Sequence, residues 1–295
     1  LLQGIVPTGQ PLWIIPDGPL HYLPFECLLT TKPVAGIDQW PYALNRYPIA
    51  YAYSVAANFR TTEARTAQSS LALAPIFEAQ QRGLATLKYA TEESKVLLRI
   101  FPNGNLLAGA AASQQNFKEM IPMADIVHLS THAHTDPLPQ IEFFDGPFSL
   151  EQLYGLDIPA QLVVLSACET NIGTYEQGEG VMSLARSFFY AGAGSLLSSL
   201  WTVNESSTSL LMEKFYEQLG KGRSTAQALQ QAKRDYLLDP AVPIARKSPY
   251  YWAGFIYIGP QLQLYRPSLF TLKNTLMGLE LVLGAGSIIW WWRRK

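Results

Sequence analysis

Cysteine is scarce in this chain, with Cys27 and Cys168 the two in 295 residues. That count argues against a disulfide framework and leaves each cysteine to be explained as a small buried side chain or a reactive thiol. Histidine is scarce too, four in all, and three of them, His128, His132 and His134, crowd into "IVHLSTHAHTDP" (126–137). Neither sign of charge dominates: 22 basic side chains stand against 23 acidic ones, a net charge of −1, and nothing favours nucleic acid as the main partner. The chain has no G-x-S-x-G elbow and no G-x-x-x-x-G-K-[ST] loop, although "GKGRS" (220–224) superficially suggests phosphate binding. It has no internal repeat and no low-complexity segment. It also lacks a basic-then-apolar leader and opens at Leu1 in "LLQGIVPTGQPLW", so an upstream region is expected.

What the chain has is apolar substance, 48% of its residues, enough for a substantial core in one large domain or two small ones. Eight apolar runs predict buried strands: "LWIIP" (12–16), "IAYAYS" (49–54), "SLALAP" (70–75), "NLLAG" (105–109), "DIVHLS" (125–130), "LVVLSA" (162–167), "GSLLSSLW" (194–201) and "AGFIYIG" (253–259). Helical patterns separate most of them. One is predicted over 91–101, entered at Thr91 with Glu93 close behind, and another over 113–121 with Ser113 as its cap. From Val181, the positions Leu184, Ala185, Phe188, Phe189 and Gly192 continue one helix face. The stripes Leu211, Met212, Phe215, Tyr216, Leu219 and Leu229, Ala232, Lys233, Tyr236 give two more helices. Strands alternating with helices imply an α/β protein with a mostly parallel sheet covered on both faces.

Residues 1–66 read as an N-terminal subdomain, in which "PDGPLHYLPFECLL" predicts a hairpin leading into a short helix. Residues 67–262 form the α/β core, and 263–295 a linker followed by a hydrophobic helix at about 276–292. That last run, "LMGLELVLGAGSIIWWW", would be about 26 Å long as a helix against a bilayer core of about 30 Å. Its three tryptophans and the following Arg293, Arg294 and Lys295 suit a membrane interface, so a membrane-anchored protein with a C-terminal single-pass helix is expected.

His132-x-His134-x-Asp136 resembles the opening of the HxHxDH motif of metallo-β-lactamase-fold hydrolases, but Pro137 stands where the next histidine belongs. No histidine lies downstream of His134 to complete a zinc shell, and no metal is expected. Cys168, in "VVLSACETN", offers different chemistry. The strand runs ending in "DIVHLS" and "LVVLSA" deliver His132 and Cys168 to the carboxyl edge of the sheet, where open α/β folds bind ligands. The 36 residues between them leave room for one crossover connection, so the two groups can meet. An imidazole can take the thiol's proton and later protonate a leaving amine, which makes Cys/His a sufficient pair for acyl transfer. Cys27, in the short apolar "PFECLL", reads as structural, and His128 as a core histidine.

The combination of "IVHLSTHA" with "LVVLSACETNIGTYEQGEGVMSLARSFFYAGAGSLLSSLWTVNESSTSLLMEKFYEQLGKGRSTAQALQQAKRDY" resembles the CHAT family, caspase-like proteins commonly attached to tetratricopeptide repeats. "PDGPLHYLPFECLL" looks like that family's N-terminal portion. The resemblance implies a caspase-like three-layer α/β/α sandwich and a cysteine peptidase acting on a protein or peptide substrate without a cofactor. It implies equivalence of His132 and Cys168 to the family's dyad, and it makes an upstream tetratricopeptide-repeat region plausible. It further implies that the backbone N–H groups of Ala133 and Cys168 hold the oxyanion, donors that typically contribute about 3 kcal/mol each to the barrier. In the related separases, the stretch matching "LWTVNESS" looks like part of a substrate pocket, which singles out Trp201 and Glu205. Asn204 and Glu205 equally suit the cap and first turn of the next helix. The alternative function is a catalytically silent CHAT module that binds partners.

Overall fold

The computed structural model describes residues 6–33, 36–54, 65–134, 139–166, 173–176 and 180–266. Each of the eight apolar runs supplies one strand of a single sheet. These strands are β1 (Leu12–Ile14), β2 (Ile49–Tyr51), β3 (Ser70–Ala74), β4 (Gly104–Ala108), β5 (Ile126–Leu129), β9 (Leu162–Leu165), β12 (Leu196–Ser199) and β13 (Phe255–Ile258). The intervening numbers belong to two small antiparallel sheets, β6 (Ala133–His134) with β7 (Gln140–Phe143) and β8 (Gly146–Ser149), and β10 (Gly173–Glu176) with β11 (Gly180–Ser183). In the large sheet the order is β1-β2-β13-β12-β9-β5-β3-β4. Every pairing is parallel except β12 with β13, so β13, β2 and β1 run against the other five strands.

Strands β2, β3, β5, β9, β12 and β13 are buried at every position because helices cover both faces, whereas the edge strands β1 and β4 are partly exposed. Leu71, Leu73, Val127, Leu129, Val163 and Leu165 pack on one face. They meet Phe117 of α2 (Gln114–Met120), Leu153 of α3 (Leu150–Tyr154) and Phe188 of α4 (Leu184–Tyr190). Ala72, Ile126, Leu162 and Val164 face the other way. Their partners are Leu97 of α1 (Ala90–Ile100), Phe215 of α5 (Glu205–Gly220) and Leu229 of α6 (Thr225–Leu238). A phenylalanine so enclosed contributes about 3–5 kcal/mol relative to alanine.

Ser113 caps α2 as its position predicts, its side chain accepting the Asn116 N–H at 3.3 Å. Three local expectations are corrected. Helix α1 begins at Ala90, which puts Thr91 inside the first turn. Val181 belongs to β11, paired with Tyr175 of β10, because the backbone there hydrogen-bonds across a hairpin; the helix face starts at Leu184. The Pro-Asp-Gly turn opens no hairpin. Asp17 accepts the Gly18 N–H, Gly18 takes φ 53°, and a 3₁₀ helix runs over Gly18–Tyr22. Pro19, at its second position, lacks the N–H that a hairpin strand would need.

Strands β1 and β2 come from the first 66 residues and extend the large sheet beyond β13. A buried ion pair fastens the same stretch to α6, with Lys233 Nζ 3.0 Å from Glu26 Oε1 and both side chains out of water. Tyr51 donates its hydroxyl to Glu26 Oε2 at 2.5 Å, its phenol held well above the ordinary pKa first by burial and then by that carboxylate. No helix among the described residues is long and apolar enough to cross a membrane. The hydrophobic run 276–292 lies outside the described residues.

Candidate active site

The carboxyl ends of β5 and β9 lie side by side, with Leu129 in register with Leu165. His132 and Cys168 each stand three positions beyond that pair in the chain. On β9 the description reaches Ser166; Cys168 lies outside the described residues, as does Asp136.

His132 is held by the connection between β3 and α1. Its Nε2 lies 2.7 Å from the Ala85 carbonyl oxygen, and the Phe77 ring lies beside it at 5.7 Å between centroids. A carbonyl only accepts, so Nε2 carries the proton and, in the neutral imidazole, Nδ1 keeps the lone pair of a base. The following residue, Ala133, opposes Ile141 of β7. The adjacent pair carries the ladder bond, from Glu142 N–H to His132 O at 2.9 Å, so the Ala133 N–H turns away from β7. Among the described residues Arg82 is the one non-glycine residue at positive φ, so Ala133 sits in ordinary backbone geometry.

Beneath this edge lies a polar cluster that the sequence reading did not assemble. Glu93, from the first turn of α1 and 4% exposed, receives the hydroxyls of Ser130 at 3.1 Å and Ser166 at 2.6 Å on Oε2. His128 is fully buried, as expected of a core histidine, with Nδ1 2.8 Å from the Tyr216 hydroxyl. Burial and the nearby Glu93 carboxylate keep the Tyr216 phenol well above its ordinary pKa, so the hydroxyl stays protonated against His128. His128 Nε2 lies 3.3 Å from Glu93 Oε2 without forming a hydrogen bond to it. The available signal was the matched pair "HLSTH" and "VLSAC", in which a serine precedes each proposed catalytic residue by two.

A small cavity of about 40 Å³ opens beside this cluster, walled by Leu87, Ala90, Ser130, Ser166 and two carboxylates, Glu93 and Glu205. Glu205 is also the first residue of α5, whose cap Asn204 accepts the Ser207 N–H at 3.2 Å, so helix start and cavity wall coincide. Trp201 is not among the residues lining this cavity. Its indole stacks on Tyr250 at 6.5 Å and 13°, and its Nε1 donates to the Tyr250 carbonyl at 3.0 Å. Gly254 permits that seat, since a Cβ there would come within 3.0 Å of the Trp201 ring. His134 faces Glu142, Nε2 to Oε1 at 3.5 Å, and His21 bonds locally to Gly18 O at 3.0 Å. Among the described residues no three His, Cys, Asp or Glu side chains are grouped to hold a metal ion.

A mostly parallel sheet sandwiched by helices defines a separase-like α/β fold. Solved structures share it. Separase in the Saccharomyces cerevisiae separase–securin complex superposes with a TM-score of 0.56 at 12% identity, over 82% of this chain and 15% of that one. The Arg-specific cysteine proteinase gingipain R gives 0.53 at 11% identity, over 76% and 56%. The CHAT domain family model matches residues 1–260, and the chain belongs to that family. It is similar to tetratricopeptide repeat protein 28 of Homo sapiens, 33% identical over 113 residues, and of Mus musculus, 31% over 116. Those stretches are 38% and 39% of this chain but 4% of each relative, so the chain matches a small part of their length.

Proposed function

We propose that this CHAT domain is a cysteine endopeptidase with Cys168 as nucleophile and His132 as general base and acid. The observation that carries the reading is the His132 imidazole, fixed as the Nε2–H tautomer by the Ala85 carbonyl at the edge where β5 and β9 run in register. The Cys168 thiol passes its proton to His132 Nδ1, and the thiolate adds to the scissile carbonyl. His132 returns that proton to the departing amine, and water hydrolyses the thioester. The N–H groups of Ala133 and Cys168 receive the oxyanion.

Two carboxylates around one cavity favour a positively charged substrate side chain, with Glu205 as the wall acid and Glu93 at the floor. Gingipain R, which shares the fold, is described as Arg-specific. The cavity as it stands holds about a single water, so a substrate side chain must part the 87–90 wall from the start of α5. Trp201, stacked on Tyr250 outside this cavity, is assigned to the pocket only through the likeness of "LWTVNESS" to the separase stretch. Peptidyl probes ending in arginine should label Cys168 faster than otherwise identical probes ending in leucine. Glu205→Gln should reduce that preference about tenfold while sparing the leucine probe. Equal effects on both probes would leave Glu205 only its place at the helix start, and an adduct anywhere but Cys168 would remove the peptidase reading.

The similarity to tetratricopeptide repeat protein 28 supports an upstream repeat region as the regulatory partner. Residues 1–66 act as a subdomain carrying that connection. Residues 276–292 act as a membrane anchor, on the strength of their apolarity and the terminal "WWWRRK". Removing 270–295 should move the protein from the carbonate-resistant membrane fraction to the supernatant without loss of cleavage. A full-length chain that carbonate washes off would exclude the anchor.

A further inference from the structure

We propose that Arg82, through an ion pair with Glu142, is a positioning residue that sets the tautomer of His132. The connection from β3 to α1 contains a 3₁₀ helix, Glu78–Gly83, that ends with Arg82 at φ 56° and Gly83 at φ 74°. An L-residue in that region costs on the order of 1 kcal/mol or more and persists only when its surroundings hold it. Here the side chain does the holding. Arg82 Nη1 donates to Glu142 Oε2 at 2.8 Å, Nη2 donates to the Phe143 carbonyl, and the guanidinium lies 5.4 Å over the Phe77 ring.

Glu142 is 7% exposed and belongs to the strand that pairs with the His132 segment. Its N–H donates to His132 O at 2.9 Å, and its carbonyl accepts the Thr131 hydroxyl at 2.5 Å. The connectivity therefore closes on itself: His132 main chain to Glu142, Glu142 to Arg82, three residues along to Ala85, and the Ala85 carbonyl back to the His132 ring. Within the arch the Thr86 hydroxyl adds a bond to the Phe77 carbonyl, which shapes the loop without tying it to β7. The Arg82–Glu142 pair makes that tie. Among the described residues the other group of basic type facing Glu142 is His134, whose Nε2 reaches the second oxygen, Oε1, at 3.5 Å.

The kinetic part of this inference rests on the peptidase reading, whereas the tautomer does not. The test uses the full 295-residue chain and the variants Arg82→Gly, Glu142→Gln and their double. Glycine adopts a φ near 56° freely, so Arg82→Gly removes the guanidinium without straining the backbone. Nitrogen-15 spectra of the imidazoles, with His132 assigned by His132→Gln, should show a single Nε2–H form in the parent and a mixture of tautomers in each variant. For peptide cleavage, kcat should fall between about tenfold and a hundredfold with KM unchanged. The double variant should be no worse than either single one. A His132 that keeps its Nε2–H form in both Arg82→Gly and Glu142→Gln overturns the proposal, whatever the kinetics. If the parent cleaves nothing but its tautomer is fixed and the variants release it, the positioning stands and the peptidase reading falls. Should Arg82→Gly fail to fold, Glu142→Gln, which matches the native shape, decides alone.

Discussion

Cys168→Ala is expected to reduce cleavage of a fluorogenic peptide to background. His132→Ala should lower kcat by about 10²–10⁴-fold, the range that positioned general bases contribute. Nucleophile and base act as one unit, so the double variant should be no worse than Cys168→Ala alone. Cys27→Ala should keep full activity, because that thiol is half-buried, donates to the Pro24 carbonyl at 3.0 Å, and is pushed up in pKa by burial and by Glu26. It is therefore a poor source of thiolate at neutral pH. Full activity in Cys168→Ala would end the peptidase reading and return the domain to the class of partner-binding modules.

A large loss of stability should come from Lys233→Ala, away from the proposed site. Removing the ammonium leaves the Glu26 carboxylate buried, with Tyr51 its remaining partner among the described residues, a change that costs about 3–5 kcal/mol. For a domain of this size that lowers Tm by roughly 6–20 °C. The double variant Lys233→Met with Glu26→Gln keeps an acceptor for the Tyr51 hydroxyl and removes both charges, so it should recover most of the loss. Urea unfolding of the single and double variants measures both. A double variant less stable than Lys233→Ala would mean that the pair is worth more than the desolvation it costs.

The eight strands were legible because a sheet covered on both faces imposes a pattern that needs no knowledge of partners, a short and predominantly apolar run. The long helices α5 and α6 were legible for the same local reason, a stripe at helical spacing. Local signals misled where two structures share one spacing. Val181 lies at the right interval to extend the face of α4, yet its backbone pairs across a hairpin. Pro-Asp-Gly begins a turn in either case, and whether a hairpin or a 3₁₀ helix follows depends on Asp17 taking the Gly18 N–H. At the site, His132 could be singled out because strand ends are predictable. Glu93 could not, because Ser130 and Ser166 lie 37 and 73 residues along the chain from it. Arg82 was invisible for a different reason: nothing in the letters says that an arginine adopts a left-handed backbone.

The reversal of direction at β13 divides the molecule into two poles. The five strands β3, β4, β5, β9 and β12 all point towards His132, whereas β13, β2 and β1 start from that pole and run away from it. Any segment joined ahead of Leu12 thus meets the sheet at the pole where His132 lies. The chain leaving Ile258 emerges at the other, where Leu264 accepts the Ala67 N–H at 2.8 Å just ahead of β3. On the proposed peptidase reading, a regulator attached upstream would need no long lever to reach substrate, and a tether attached downstream would hold the domain by the end opposite His132.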